Sequence, residues 1–258
     1  MNHDMQRIIE ILAHNAWVML RLSGFMLTAP VLSNALVSVR IRVVLLLALT
    51  VLIGPLVSAN STAFAFDGAS MLAVANELVL GAAIGFSVMI AFEALTMAGT
   101  LTAMTMGLGF ASLIDPQHRG EEPVVGTLYQ TLALLMYLSV DGHLALLAAL
   151  AESFRLMPAG AGMLSHEALW SLALMGAKLF ASGVVIALPA VVALLIVNVA
   201  LGVVSRAAPQ LNLYAVGFPV SMVFGLLVLM QALPLLRQAF ETLLRDALTQ
   251  SSALSLAR

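Results

Sequence analysis

From Met71 to Leu113 the chain carries only two charged residues, Glu77 and Glu93. As a single helix, at 1.5 Å per residue, this run would be about 65 Å long, roughly twice the hydrocarbon core of a bilayer. Two solutions exist for such a segment. It turns back on itself near Glu93 to Gly99, or it stays helical and extends beyond the membrane.

Composition decides the solvent. Of 258 residues 62% are hydrophobic and 9% charged, with a mean hydropathy of +1.06; soluble globular chains carry roughly 25% charged and under 50% apolar residues. The chain is an integral membrane protein or part of one. A net charge of -2 with scattered basic residues gives no electrostatic footprint for nucleic acid. The absence of cysteine removes disulfides and thiolate metal sites. No other metal-ligand or cofactor spacing occurs, so no cofactor is expected. Met1 to Glu10 has mixed charge and lacks the pattern of a removable signal. The first apolar segment is therefore expected to stay as an anchor.

Six apolar segments are expected, some broken or kinked. The first runs from about Ile8 to Leu32, with Arg21 in its middle, and Val31 to Arg42 reads as a polar turn. The second, Val43 to Val57, is short of the roughly 20 residues a straight crossing needs, and Ser58 to Ser70 reads as a loop. The third is Met71 to Leu113. Pro116 to Pro123, with Asp115, Arg119, Glu121 and Glu122, separates the halves. The fourth, Val124 to Leu150, contains Asp141-Gly142-His143, and Glu152 to Glu167 reads as a loop. The fifth, Ala168 to Val204, is broken by Pro189. The sixth, Leu213 to Leu236, precedes an amphipathic tail, Arg237 to Leu248. Arginines divide almost evenly between the two sides, so the positive-inside rule gives no orientation. These features point to an all-α membrane protein of long helical hairpins packed on partner subunits. As one domain, 1–258, it would have an N-terminal half, 1–114, a C-terminal half, 124–250, and a tail, 251–258.

The third segment ends in Met104-Thr-Met106-Gly107-Leu108-Gly109-Phe110-Ala-Ser-Leu113-Ile-Asp115-Pro116. Glycine permits backbone that a Cβ blocks, and Pro116 disfavours helix at Asp115. The helix should loosen near Gly107 and end by Asp115, leaving an apolar, bendable loop. It fits either a helix end buried among neighbours or a movable hydrophobic stopper, since apolar constrictions gate channels by dewetting.

Arg21, Glu77, Glu93, Asp141 and Lys178 lie inside apolar segments, where a charge facing lipid costs at least about 2.5 kcal/mol. A proton relay and interhelix ion pairs are the two explanations. Ion pairs are favoured, because no two of these residues stand at helical i, i+4 spacing and no paired-carboxylate constellation occurs. His143 reads as a helix-end residue, with no second histidine at metal-ligand spacing.

The last informative stretch is the polar turn Ser205-Arg-Ala-Ala-Pro209-Gln210-Leu-Asn212-Leu-Tyr-Ala-Val-Gly217-Phe-Pro219. Gln210 and Asn212 should pair with open backbone or a neighbouring subunit. This turn, Asp141-Gly142-His143, the Gly107 to Pro116 loop, Glu77-Leu-Val-Leu-Gly81 and Ser153-Phe154 before Pro158 together resemble the FliR family of flagellar export-gate proteins, related to the SctT proteins of injectisomes. The resemblance covers nearly the whole chain in order.

The resemblance implies a gate subunit assembled with FliP-like and FliQ-like proteins, with an FlhB-like switch protein nearby, in the bacterial inner membrane of the flagellar basal body. Its fold would be of the FliP/FliQ type, partly raised out of the bilayer, and it would conduct unfolded proteins without being an enzyme. Met104, Met106, Gly107, Leu108, Gly109, Phe110 and Leu113 would form the pore plug; Leu113 stands where an aromatic is common in the family. Glu77, Gly81, Asp115, Pro116, Asp141, Gly142, His143, Pro209, Gln210, Asn212, Gly217 and Pro219 would serve assembly. A proton-coupled secondary transporter using Asp141 and Glu77 is the alternative.

Overall fold

A chain with so few polar side chains must satisfy its backbone internally, and helices do this within one segment. The computed structural model describes residues 2–34, 37–56, 68–108, 123–160, 165–208 and 213–256, and every regular element among them is helical. In order these are α1 (Asn2–Thr28), α2 (Val39–Ile53) with a 3-10 turn at Gly54–Leu56, α3 (Gly68–Thr105), α4 (Val124–Ser139), α5 (Gly142–Leu156), α6 (His166–Ala207) and α7 (Leu213–Leu256). Among the described residues three helices, α3, α6 and α7, are long and apolar enough to cross a membrane, and α4 with α5, bent by 69°, would make a fourth. The chain is an all-α membrane protein. Helix α1 is not among these spans, and its Trp17, Val18, Leu22 and Phe25 are buried inside the protein.

The long third segment does not turn back. Helix α3 runs unbroken through Glu93 to Gly99 for 38 residues. Ile84, Val88, Ala91, Leu95, Ala98 and Thr102 are almost wholly buried and recur at alternating four- and three-residue steps. One continuous apolar stripe therefore holds the helix against the protein along most of its length.

Other expected boundaries shift for identifiable reasons. Pro189 lies inside α6, and Pro219 and Pro234 lie inside α7, without ending either helix. A proline removes one N–H, and membrane helices tolerate this because the ladder resumes on either side. The expected tail, Arg237 to Leu248, is thus continuous with the sixth segment. Helix α2 begins at Val39 and takes in Arg40 and Arg42. Helix α5 continues to Leu156 because Ser153 and Phe154 are buried, shortening the expected loop from Glu152.

The fourth segment breaks at Asp141, whose φ of 54° is left-handed. Asp tolerates this conformation better than most residues. Its N–H donates to Leu138 O at 3.3 Å, and its carbonyl accepts from the N–H groups of Leu144 and Ala145. One residue closes α4 and opens α5.

Two compact units are present. The first comprises Met1–Ile90, Leu138–Gly176 and Leu244–Arg258. It is centred on Trp17, Leu22, Phe25, Ile84, Leu150 and Phe154. The second comprises Ala91–Tyr137 and Ala177–Leu243. In it Met106, Tyr129, Leu194, Leu229 and Leu236 share one core, and the Phe92 ring meets those of Tyr137 and Phe240 edge-on at 5.3 and 5.5 Å.

Candidate functional site

In the first unit a charged group is held where no water reaches it. Arg21 Nε donates to Glu77 Oε2 at 2.7 Å and its Nη2 to Glu77 Oε1 at 3.0 Å. The remaining guanidinium hydrogens go to the carbonyls of Ser153 and Met157, each at 2.9 Å, and to Ser153 Oγ. All five donors are used, and the group lies 4.2 Å from the centre of the Phe154 ring. The N–H of Gly160, at φ 76°, completes the shell of Glu77 at 2.9 Å. Arg21 thereby caps the carboxyl end of α5, where carbonyls lack helical partners and positive charge is favoured. The geometry is that of a structural clamp joining α1, α3 and the end of α5.

The clamp depends on close backbones. A Cβ on Gly24 would overlap the carbonyl of Leu78, one on Gly81 the carbonyl of Arg21, and one on Gly85 the Thr28 hydroxyl and the Ala29 nitrogen. Thr28 Oγ1 then donates across the contact to Ala82 O at 2.7 Å. Small residues at this spacing let membrane helices approach closely. Gly81 was legible as part of Glu77-Leu-Val-Leu-Gly81; Gly24 and Gly85 were missed, although Gly81-Ala-Ala-Ile-Gly85 is a small-xxx-small pattern.

In the second unit the end of α3 is built in detail. The helix stops at Thr105, Gly107 takes φ 84°, and its N–H donates to Met104 O at 3.1 Å. This is the left-handed glycine stop of helix carboxyl ends. Thr102 O takes the Met106 N–H and the Thr105 hydroxyl. Thr105 O, the last helical carbonyl, accepts from Asn198 Nδ2 on α6 at 3.1 Å, and Asn198 Oδ1 accepts the Ser221 hydroxyl of α7 at 3.0 Å. Asn198 thereby joins α6 both to the end of α3 and to α7. Met106, at 1% exposure, sits where a Cβ on Gly225 would be.

The expected plug residues therefore separate. Met104 is 58% exposed while Met106 is a core residue. Leu108 packs against the same core. Gly109, Phe110, Leu113, Asp115 and Pro116 lie outside the described residues, as do Pro209, Gln210 and Asn212. Asp141 is exposed, Gly142 is buried at the start of α5, and His143 is half-buried in its first turn. Gly217 is buried and Pro219 exposed on α7. The structure brings Glu77 and Gly81 together around Arg21. The carboxylate nominated with Asp141 for a proton relay is committed to that clamp. Asn198, Ser221 and Gly225 were missed, although Asn198 is the one polar side chain of α6 between Ser182 and Ser205.

Comparison with known proteins follows the same chain. Residues 12–247 match the family described as bacterial export proteins, family 1. The flagellar biosynthetic protein FliR of Pectobacterium carotovorum subsp. carotovorum is 34% identical over 244 residues, 92% of this chain and 93% of its own. That of Escherichia coli strain K12 is 34% identical over 89% of this chain and 88% of its own. That of Aquifex aeolicus is 31% identical over 84% and 83%.

Proposed function

We propose, for a chain that belongs to the bacterial export proteins, family 1, and within it to the FliR family, that it builds part of the flagellar type III export gate. The gate is the inner-membrane channel that conducts unfolded proteins. In this reading the protein is a structural and transport component with no covalent chemistry of its own. The observation that carries it is the end of α3. A helix buried over most of its length stops at a positive-φ glycine, with Met106 and Leu108 packed behind it. A helix end anchored in this way suits a stopper built from the apolar sequence that follows it, because apolar constrictions gate channels by dewetting.

Residues 104 and 107–113 form the plug in this account, with Met106 as its internal anchor. The whole chain works as one gate domain of the FliP/FliQ type, its six apolar segments partly raised out of the bilayer plane. Large apolar side chains stand outward on α6 and α7, among them Phe180, Ile196, Val199 and Met230. They offer surface to FliP-like and FliQ-like neighbours and to lipid, with an FlhB-like protein beside the gate. The turn holding Pro209, Gln210 and Asn212 serves as a fixed subunit contact.

Co-expression with the two partner types, mild detergent extraction and native mass spectrometry test the assignment. A heteromeric gate containing one copy of this chain is expected. A stable homo-oligomer of this chain alone, indifferent to the partners, would overturn it.

A further inference from the structure

We infer that α2 is a lipid-binding element: Arg40 holds the phosphate of an anionic phospholipid while an acyl chain lies along Val44, Leu47 and Val51 behind it. The inference is independent of the plug reading. Arg40, Val44, Leu47 and Val51 recur at steps of four, three and four, so they share one face of the helix. All four are exposed. Among the described residues Arg40 has no hydrogen-bonded or ion-paired side chain, and the sequence carries no acidic residue between Glu10 and Asp67. Arg42, two positions on, lies on another face of the helix. Its Nη2 donates to the carbonyls of Ser33 and Asn34 at 3.2 and 2.5 Å. One arginine serves the protein's own turn, and the other is left facing outward at the head of an apolar stripe.

Length and composition name the occupant. From Arg40 to Val51 the stripe is about 17 Å long at 1.5 Å per residue, close to the depth of one leaflet, half of a roughly 30 Å core. A helix of 15 residues is too short to cross, yet it fits one leaflet with its basic end among the headgroups. Its inner end meets the condition that such a depth imposes, since backbone polar groups there must be served by protein. Gly54 is buried, its N–H donates to Thr50 O, and the Asn15 side chain of α1 lies against it. The stripe behind Arg40 is aliphatic throughout, with none of the Trp, Tyr or Met that mark the centres of protein–protein interfaces. Lipid therefore suits it better than a second chain. A phosphodiester is the group that an outward guanidinium takes at this level, through charge and paired N–H donors.

The test uses the full chain, co-expressed with its partners and extracted in mild detergent, and reads bound lipid by native mass spectrometry after adding dioleoylphosphatidylglycerol or dioleoylphosphatidylcholine. The anionic lipid should be retained over the zwitterionic one. Arg40→Gln should lower that preference by about fivefold, the effect of removing one arginine from an anionic surface. Arg237→Gln is the control: it removes an exposed arginine already paired with Glu241 and should leave the preference unchanged. A preference as strong in Arg40→Gln as in wild type, or lost equally in Arg237→Gln, would overturn the site. Excess inorganic phosphate should not abolish retention, because the acyl chain supplies contacts a free anion lacks; if it does, Arg40 binds phosphate alone and the lipid site is wrong. A photoreactive residue in place of Leu47 identifies the occupant in intact membranes. Lipid adducts are expected, and adducts with a protein chain in their place would make this face a subunit contact and overturn the proposal.

Discussion

Arg21 and Glu77, 56 positions apart, meet through two hydrogen bonds with 0% and 4% of their side chains exposed. A buried pair is weak evidence of net stabilisation, but removing one partner strands the other's charge at a cost of about 3–5 kcal/mol. Arg21→Leu and Glu77→Leu are therefore each expected to abolish or sharply reduce the yield of gate extracted from membranes. The double replacement should recover part of it, because no lone charge remains. It should not recover all, because the Ser153 and Met157 carbonyls and the Gly160 N–H also lose their partner. Thermal aggregation of detergent-solubilised complex measures this, and a double variant no better than the singles would remove the ion pair from the explanation.

Much of this was legible one residue at a time. An arginine and a glutamate in apolar runs announce a partner, but sequence spacing cannot pair them, since the contact lies between helices. Helix ends were legible where glycine dictates backbone, as at Gly107. They were misread where proline stands in a helix the protein and the membrane support on both sides, as at Pro189. The burial of Met106 was not legible, because its side chain packs on a notch at Gly225, 119 positions later in the chain.

The α1–α3 contact makes a second expectation. Gly24→Ala and Gly81→Ala drive a methyl into a facing backbone carbonyl; backbone cannot yield as a side chain does, so the loss should reach or exceed the 1–3 kcal/mol typical of overpacking. Gly202→Ala, with open space around it, should be neutral or gain up to about 1 kcal/mol of helix propensity. Melting of the three variants in one detergent checks the order. An unaffected Gly81→Ala would mean that the helices are farther apart than described.

Gly107 sets the third. Its φ of 84° is costly for a β-branched residue, so Gly107→Val should reduce protein export while gates of normal mass still form. Secretion of a flagellar substrate, normalised to assembled complex, reads the effect. Wild-type secretion would demote the glycine to a packing residue.

Asn212→Leu tests the other end of the proposal. If that turn is a fixed subunit contact, the variant should lower the yield of full-mass gate without raising ion leak in the gates that do assemble. Full yield would leave the turn without a role in holding the assembly.

The plug is the central claim, and conductance measures it most directly. With residues 107–112 deleted, the clamp at Arg21 and the anchor at Met106 are untouched, so full-mass gates should form and ions should pass the membrane at rest. Full-mass gates that hold ions as tightly as the intact protein would contradict the account.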